Sequence, residues 1–262
     1  FRPAKSGKAY QKIWDKDNHG SPLRKFTINQ TSKLKKIFES YKNISIEYAM
    51  RYGTPEIEKT LNKMTKKGCS KILLVPLYPQ YAASTSATVK DEVFRWMLKQ
   101  RWQPDLRTIA PWFDNHNYIK ALAETVKKNI INKNKLDKLI VSFHGIPKRY
   151  FMAGDPYHCH CIKSARLLKE ELKWPDEKIL VTFQSRFGPE PWLQPYTDET
   201  IIELAKQGQK NIAVVAPGFI SDCLETLEEI NVEARELFIE NGGESFEYIP
   251  CLNDNELSLI HI

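Results

Sequence analysis

At 262 residues with 42% hydrophobic content, the chain can bury one large core or two smaller ones, and no stretch approaches the ~18 consecutive apolar residues of a membrane span. The net charge of +7 favours anionic partners, but the lysines are scattered among Asn and Ile without an arginine-rich, aromatic-interleaved patch, which disfavours nucleic acid. Five cysteines, an odd number in a long chain, argue against a disulfide framework and for a reducing compartment, so a cytoplasmic location is expected.

The chain opens on Phe1 with neither Met nor a signal-peptide pattern, and is expected to be a fragment. Apolar runs bounded by Gly and Pro then predict strands near Ser45–Arg51, Lys71–Leu77 and Leu106–Ala110, followed by Leu139–Phe143, Ile179–Gln184, Ile212–Ala216 and Ser245–Ile249. Helical patterns of 10 to 15 residues separate them, the signature of parallel sheets built from right-handed βαβ crossovers. The chain also echoes itself. Arg51-Tyr52-Gly53-Thr54-Pro55 resembles Arg186-Phe187-Gly188-Pro189, and Lys71 to Tyr78 resembles Asn211 to Phe219, each a buried strand stopped by a proline. Two similar α/β domains are therefore expected, 1–133 and 134–262. The first is one strand short, so its opening strand is expected to lie upstream of Phe1, and the polar run Asn253-Asp254-Asn255-Glu256 leads into an atypical end.

Ligands of open α/β sheets bind beyond the carboxyl ends of the strands. Three loops of the second half lie there: His144-Gly145-Ile146-Pro147, Gln184 to Leu193, and Gly218 to Glu225. An imidazole and a carboxylate on one rim can serve as base and acid, or share a divalent cation of intermediate softness. Glu225 also has an innocent reading, since Ser221-Asp222-x-x-Glu225 before Leu227, Ile230, Ala234 and Leu237 is a capping-box start to an amphipathic helix. Against it, Glu225, Glu229 and Glu233 are spaced to stack three carboxylates along one helical stripe, which a cation path would use and a solvated face would tolerate. Tyr78, Tyr81, Phe143, Tyr150 and Trp192 lie on or beside strand ends, and about half of such aromatics are expected in the core. Cys159-His160-Cys161 with His158 lacks a second ligand pair at zinc spacing and is not read as a metal site.

Ser142-Phe143-His144-Gly145-Ile146-Pro147, Gln184 to Leu193, Gly218 to Glu229, and Leu77-Tyr78-Pro79-Gln80-Tyr81 with Ser84-Thr85 together resemble the ferrochelatase family, in order and over nearly the whole chain. The resemblance implies two Rossmann-like domains of the class II chelatase type, parallel sheets flanked by helices, with the active site in the interdomain cleft. It implies a lyase that inserts ferrous iron into a porphyrin, protoporphyrin IX or coproporphyrin III, to form haem. On that resemblance His144 and Glu225 are the catalytic and metal-handling pair, with base and ligand roles undivided between them. Glu229 and Glu233 continue an acidic line for metal or protons along a helix often widened to a π turn. Tyr81, Gln184, Ser185 and Trp192 are implied as substrate-binding. Iron is substrate, and no resident cofactor or iron–sulfur cluster is expected because the C-terminal cysteine set of some members is missing. Peripheral membrane contact is compatible with a poorly soluble porphyrin, and the oligomeric state is left open. Two alternatives stand beside this reading: a chelatase for cobalt or nickel in a sirohydrochlorin-type ring, which would call for more histidines, and a non-enzymatic porphyrin binder, which would gain nothing from a row of acids.

Overall fold

A computed structural model describes residues 7, 10–14, 20–130 and 135–256. The chain is α/β throughout. Helices α1 (Pro22–Ile37) and α2 (Ile57–Lys66) lead into strand β1 (Lys71–Leu74), helix α3 (Ser86–Leu98), strand β2 (Asp105–Thr108) and helix α4 (His116–Asn129). The second half runs β3 (Lys138–His144), α5 (Lys148–Met152), α6 (Tyr157–Leu172), β4 (Ile179–Gln184), α7 (Thr197–Lys206), β5 (Asn211–Val215), α8 (Leu224–Leu227), a π-helical segment (Glu229–Ala234), α9 (Arg235–Glu240) and β6 (Ser245–Ile249). Among the described residues no helix is long and apolar enough to cross a membrane.

Every strand pair is parallel. In the second half the order is β4-β3-β5-β6, which places β3 between two neighbours. Its sequence Lys-Leu-Ile-Val-Ser-Phe-His is buried from Leu139 to Phe143, as a central parallel strand covered on both faces must be. Alternation sorts those side chains. Leu139, Val141 and Phe143 enter one core with α4 and α6, whereas Ile140 enters a second core with α7, α9 and β5. Phe143 is thus a core residue rather than a wall of a binding cleft. His144 shares the parity of Ile140 and Ser142, so it leaves the strand on the side of α7 and α9. Helix α4 precedes the 133/134 division, yet Tyr118, Ile119, Leu122 and Val126 pack in the core of the second sheet.

The first half differs from its expected strands. β1 and β2 form a two-stranded sheet, Lys71 opposite Asp105, over a small core of Leu61, Ile72, Val93 and Trp96. Residues 45–51 form no strand; they contribute one isolated bridge, Met50 to Glu56. Among the described residues no strand pairs with this segment. Glu47 is instead gripped by Lys63 at 2.9 Å, Lys67 at 3.6 Å and Lys35 at 3.7 Å, which fixes the segment through side chains from α1 and α2. Those ammonium groups hold the Glu47 carboxyl below the ordinary range, although burial opposes them. β1 ends at Leu74, ahead of Pro76, which cannot donate to a ladder.

Candidate active site

Strand order marks one place in the second sheet where ligands of such folds bind. From β3 the chain crosses to β4 on one side and then returns past β3 to β5 on the other, so β3 and β5 flank a topological switch point. A crevice opens beyond the carboxyl ends of strands at such a point. His144 ends β3, and the loop after β5 leads into the acidic helix. Parallel register sets Gln184 of β4 beside His144.

His144 is half-buried and oriented by its neighbours. Its Nδ1 lies 2.6 Å from the carbonyl oxygen of Gly145; a carbonyl only accepts, so Nδ1 carries the proton and Nε2 is left as the basic ring nitrogen. The Trp192 ring sits 6.4 Å from the imidazole centroid, tilted by 47°. A side chain at position 145 would crowd the gap between strand end and indole. A Cβ on Gly145 would stand 3.0 Å from the Gln184 carbonyl oxygen and 3.1 Å from Trp192 Cε3. Trp192 Nε1 is buried and has no hydrogen-bond partner among the described residues.

The acidic helix is not the single α-helix that its apolar spacing predicts. It starts with a capping box formed by Cys223 and Thr226: Thr226 Oγ1 accepts from the Cys223 amide at 3.0 Å, and the Cys223 side chain receives the Thr226 amide. The capping box is closed by Thr226 rather than by Glu225, whose carboxylate instead hydrogen-bonds the side chain of the N-cap residue Cys223. From Glu229 to Ala234 the helix widens, the Glu233 amide reaching back five residues to the Glu228 carbonyl at 2.9 Å. The carboxylates feel one another. Burial pushes the Glu229 carboxyl up from the ordinary range, Glu225 and Glu233 add to the rise, and the Ser185 hydroxyl and His144 oppose it. The hydroxyls of Tyr10 and Tyr78 are likewise raised, first by burial and then by negative charge that includes Glu225.

The remaining expected site residues have varied surroundings. Ser185 adopts a left-handed φ of 64° and donates its hydroxyl to Glu229. Gln184 is buried, accepting from Ser142 Oγ at 2.8 Å and donating to the Glu225 carbonyl at 2.9 Å. Tyr81 gives its amide to His160 Nδ1 at 3.2 Å and lies under Lys90. Among the described residues no three His, Cys, Asp or Glu side chains close around a metal position.

Three features were not read from sequence. Lys12 pairs with the buried Glu228 at 3.1 Å, a contact across 216 positions that no local pattern reveals. Asp222 is buried and accepts from Thr226, Tyr248, the Cys251 amide and Asn253. Gln30 of α1 docks on this root, donating to Ser221 Oγ at 3.2 Å and to the Asn253 carbonyl at 2.6 Å.

A sequence model of ferrochelatase matches residues 1–260. This chain belongs to the ferrochelatase family. It is 56% identical over 255 residues to the ferrochelatase of Allorhizobium ampelinum, covering 97% of this chain and 74% of that protein. Identity to the ferrochelatase of Rhizobium meliloti is 54%, covering 97% and 75%. Solved structures share the fold. SirB from Bacillus subtilis with Fe3+ superposes with a TM-score of 0.63 at 18% identity, over 93% of this chain and 89% of that one. CbiX, the terminal enzyme of siroheme biosynthesis in denitrifying bacteria, gives 0.57 at 12%, over 93% and 92%.

Proposed function

We propose that the crevice flanked by β3 and β5 is where this ferrochelatase-family chain works, with His144 as the proton acceptor and Glu225 and Glu229 as the carboxylates that meet the cation. The activity is insertion of ferrous iron into a porphyrin to form haem, a lyase reaction of haem synthesis. Each turnover removes two pyrrole protons and replaces them with one Fe²⁺, so charge on the ring is conserved while two protons must be carried away. The observation that carries the division of roles is the bond from His144 Nδ1 to the Gly145 carbonyl. It commits one ring nitrogen as donor and leaves Nε2 as the one that can accept a proton. Glu225, in the first turn of the helix, and Glu229, one turn on, supply the oxygen donors that an incoming dication needs. Trp192 offers an aromatic surface to a large apolar ring. We place the protein in the cytoplasm, where five free cysteines persist.

Anaerobic absorbance with protoporphyrin and ferrous iron tests this. His144→Ala should slow insertion about 10³-fold, within the span of general-base contributions, while porphyrin binding by fluorescence stays within about twofold. More than a tenth of the parental rate would remove the base from His144. Glu225→Gln should slow insertion at least tenfold, by order of magnitude, at unchanged Tm, because Cys223 and Thr226 make the cap. A lower Tm with an intact rate would make Glu225 a structural residue instead.

A further inference from the structure

The residues beneath His144 form a buried polar chain that ends on the acidic helix. Thr182 Oγ1 lies 2.9 Å from Thr197 Oγ1, which lies 2.9 Å from Ser142 Oγ. Ser142 donates to Gln184 Oε1 at 2.8 Å, and Gln184 Nε2 donates to the backbone carbonyl of Glu225 at 2.9 Å. All four side chains are buried, none more than 7% exposed. Buried polar groups on one face of a sheet are costly when left unpaired, and each of these side chains has at least one hydrogen-bond partner within the chain. Its geometry follows from the strands. Ser142 and His144 share a parity on β3, and β4 in parallel register places Gln184 beside His144. Gln184 therefore touches the strand that bears the imidazole and the first turn of the helix that bears the carboxylates. The next residue repeats the connection one turn on, Ser185 donating to Glu229.

We infer that Gln184 is a positioning residue: its carboxamide spans from β3 to the Glu225 carbonyl and fixes the separation of His144 from Glu225, with Ser142 and Thr197 holding the carboxamide in place. Both ends of the amide are engaged, which assigns its oxygen to Ser142 and its nitrogen to Glu225. The inference rests on His144 and Glu225 acting together. Groups that share a reaction lose rate steeply when their separation drifts by about an ångström.

The test uses the whole chain, anaerobic initial rates with protoporphyrin and Fe²⁺, and porphyrin binding by fluorescence. Gln184→Leu keeps the volume and removes both hydrogen bonds; it should lower kcat about tenfold, the equivalent of one such contact, with the porphyrin Kd within about twofold. Thr197→Val cuts the chain away from the crevice and should lower kcat roughly threefold, while Thr197→Ser restores it. This pair stands by itself if Gln184→Leu does not fold. A porphyrin Kd and KM that rise together in Gln184→Leu, with Thr197→Val at parental kcat, would overturn the inference and make Gln184 a substrate contact. A lower Tm with parental kcat in the folded enzyme would overturn it too. A fully active Glu225→Gln sinks the underlying reading; an impaired Glu225→Gln beside a parental Gln184→Leu sinks only the positioning role.

Discussion

The acidic helix behaves as two regions joined end to end. At its root, Asp222 is buried and receives four donors, from Thr226, Tyr248, the Cys251 amide and Asn253. One turn beyond the cap, Glu229 accepts from the Ser185 hydroxyl and has two like charges for neighbours. Both are carboxylates on the same rim. What separates them is donor supply: the first is tied into the fold by four hydrogen-bond donors, and the second, raised by burial and by like charge, receives the hydroxyl of Ser185.

Substitutions at each end should pull in opposite directions. The largest effect is expected from Asp222→Ala, which strands several buried donors together and should cost about 3 kcal/mol, seen as a Tm lower by roughly 8 °C. A change below about 0.5 kcal/mol in chemical denaturation would show that the root does not depend on that carboxylate. Thr226→Val, which removes the acceptor for the Cys223 amide and a donor to Asp222, should cost about 1 kcal/mol with little change in porphyrin binding. The smallest effect carries the opposite sign. Glu229 is raised in the folded state, so its ionisation weakens the fold as pH climbs through that raised pKa, and protonation removes the penalty. Glu229→Gln should therefore raise Tm at pH 7 by roughly 2 °C, show no gain near pH 4, and slow metal insertion. A lower Tm at pH 7 would place Glu229 with Asp222 as a structural carboxylate.

The second sheet was legible because its strands are apolar runs ended by breakers. The structure repeats Ile179–Gln184 and Ser245–Ile249 as read, lengthens Leu139–Phe143 by one residue at each end, and shifts Ile212–Ala216 back by one. The segment 45–51 misled because β-like composition says nothing of whether a neighbour exists to pair with it. At the site, His144 could be read from one strand end, and Glu225 from the family pattern. Asp222 could not, since the same residues read equally well as a helix cap; its Tyr248 and Cys251 partners come from the end of another strand. Gln184 was legible as a site residue, while its bond to a backbone carbonyl 41 positions away was not.

The wide turn at Glu229–Ala234 has a consequence for chain length. In an α-helix, side chains four residues apart drift by about 40° per step, so a row spaced at 225, 229 and 233 would wind away from the crevice. A turn closed over five residues counters that drift. Loss of one residue within it would restore ordinary α-helical bonding and swing every later side chain by about 100°. A shorter segment would make a more regular helix whose glutamates no longer form a file, so in this stretch the number of residues matters as much as their kind.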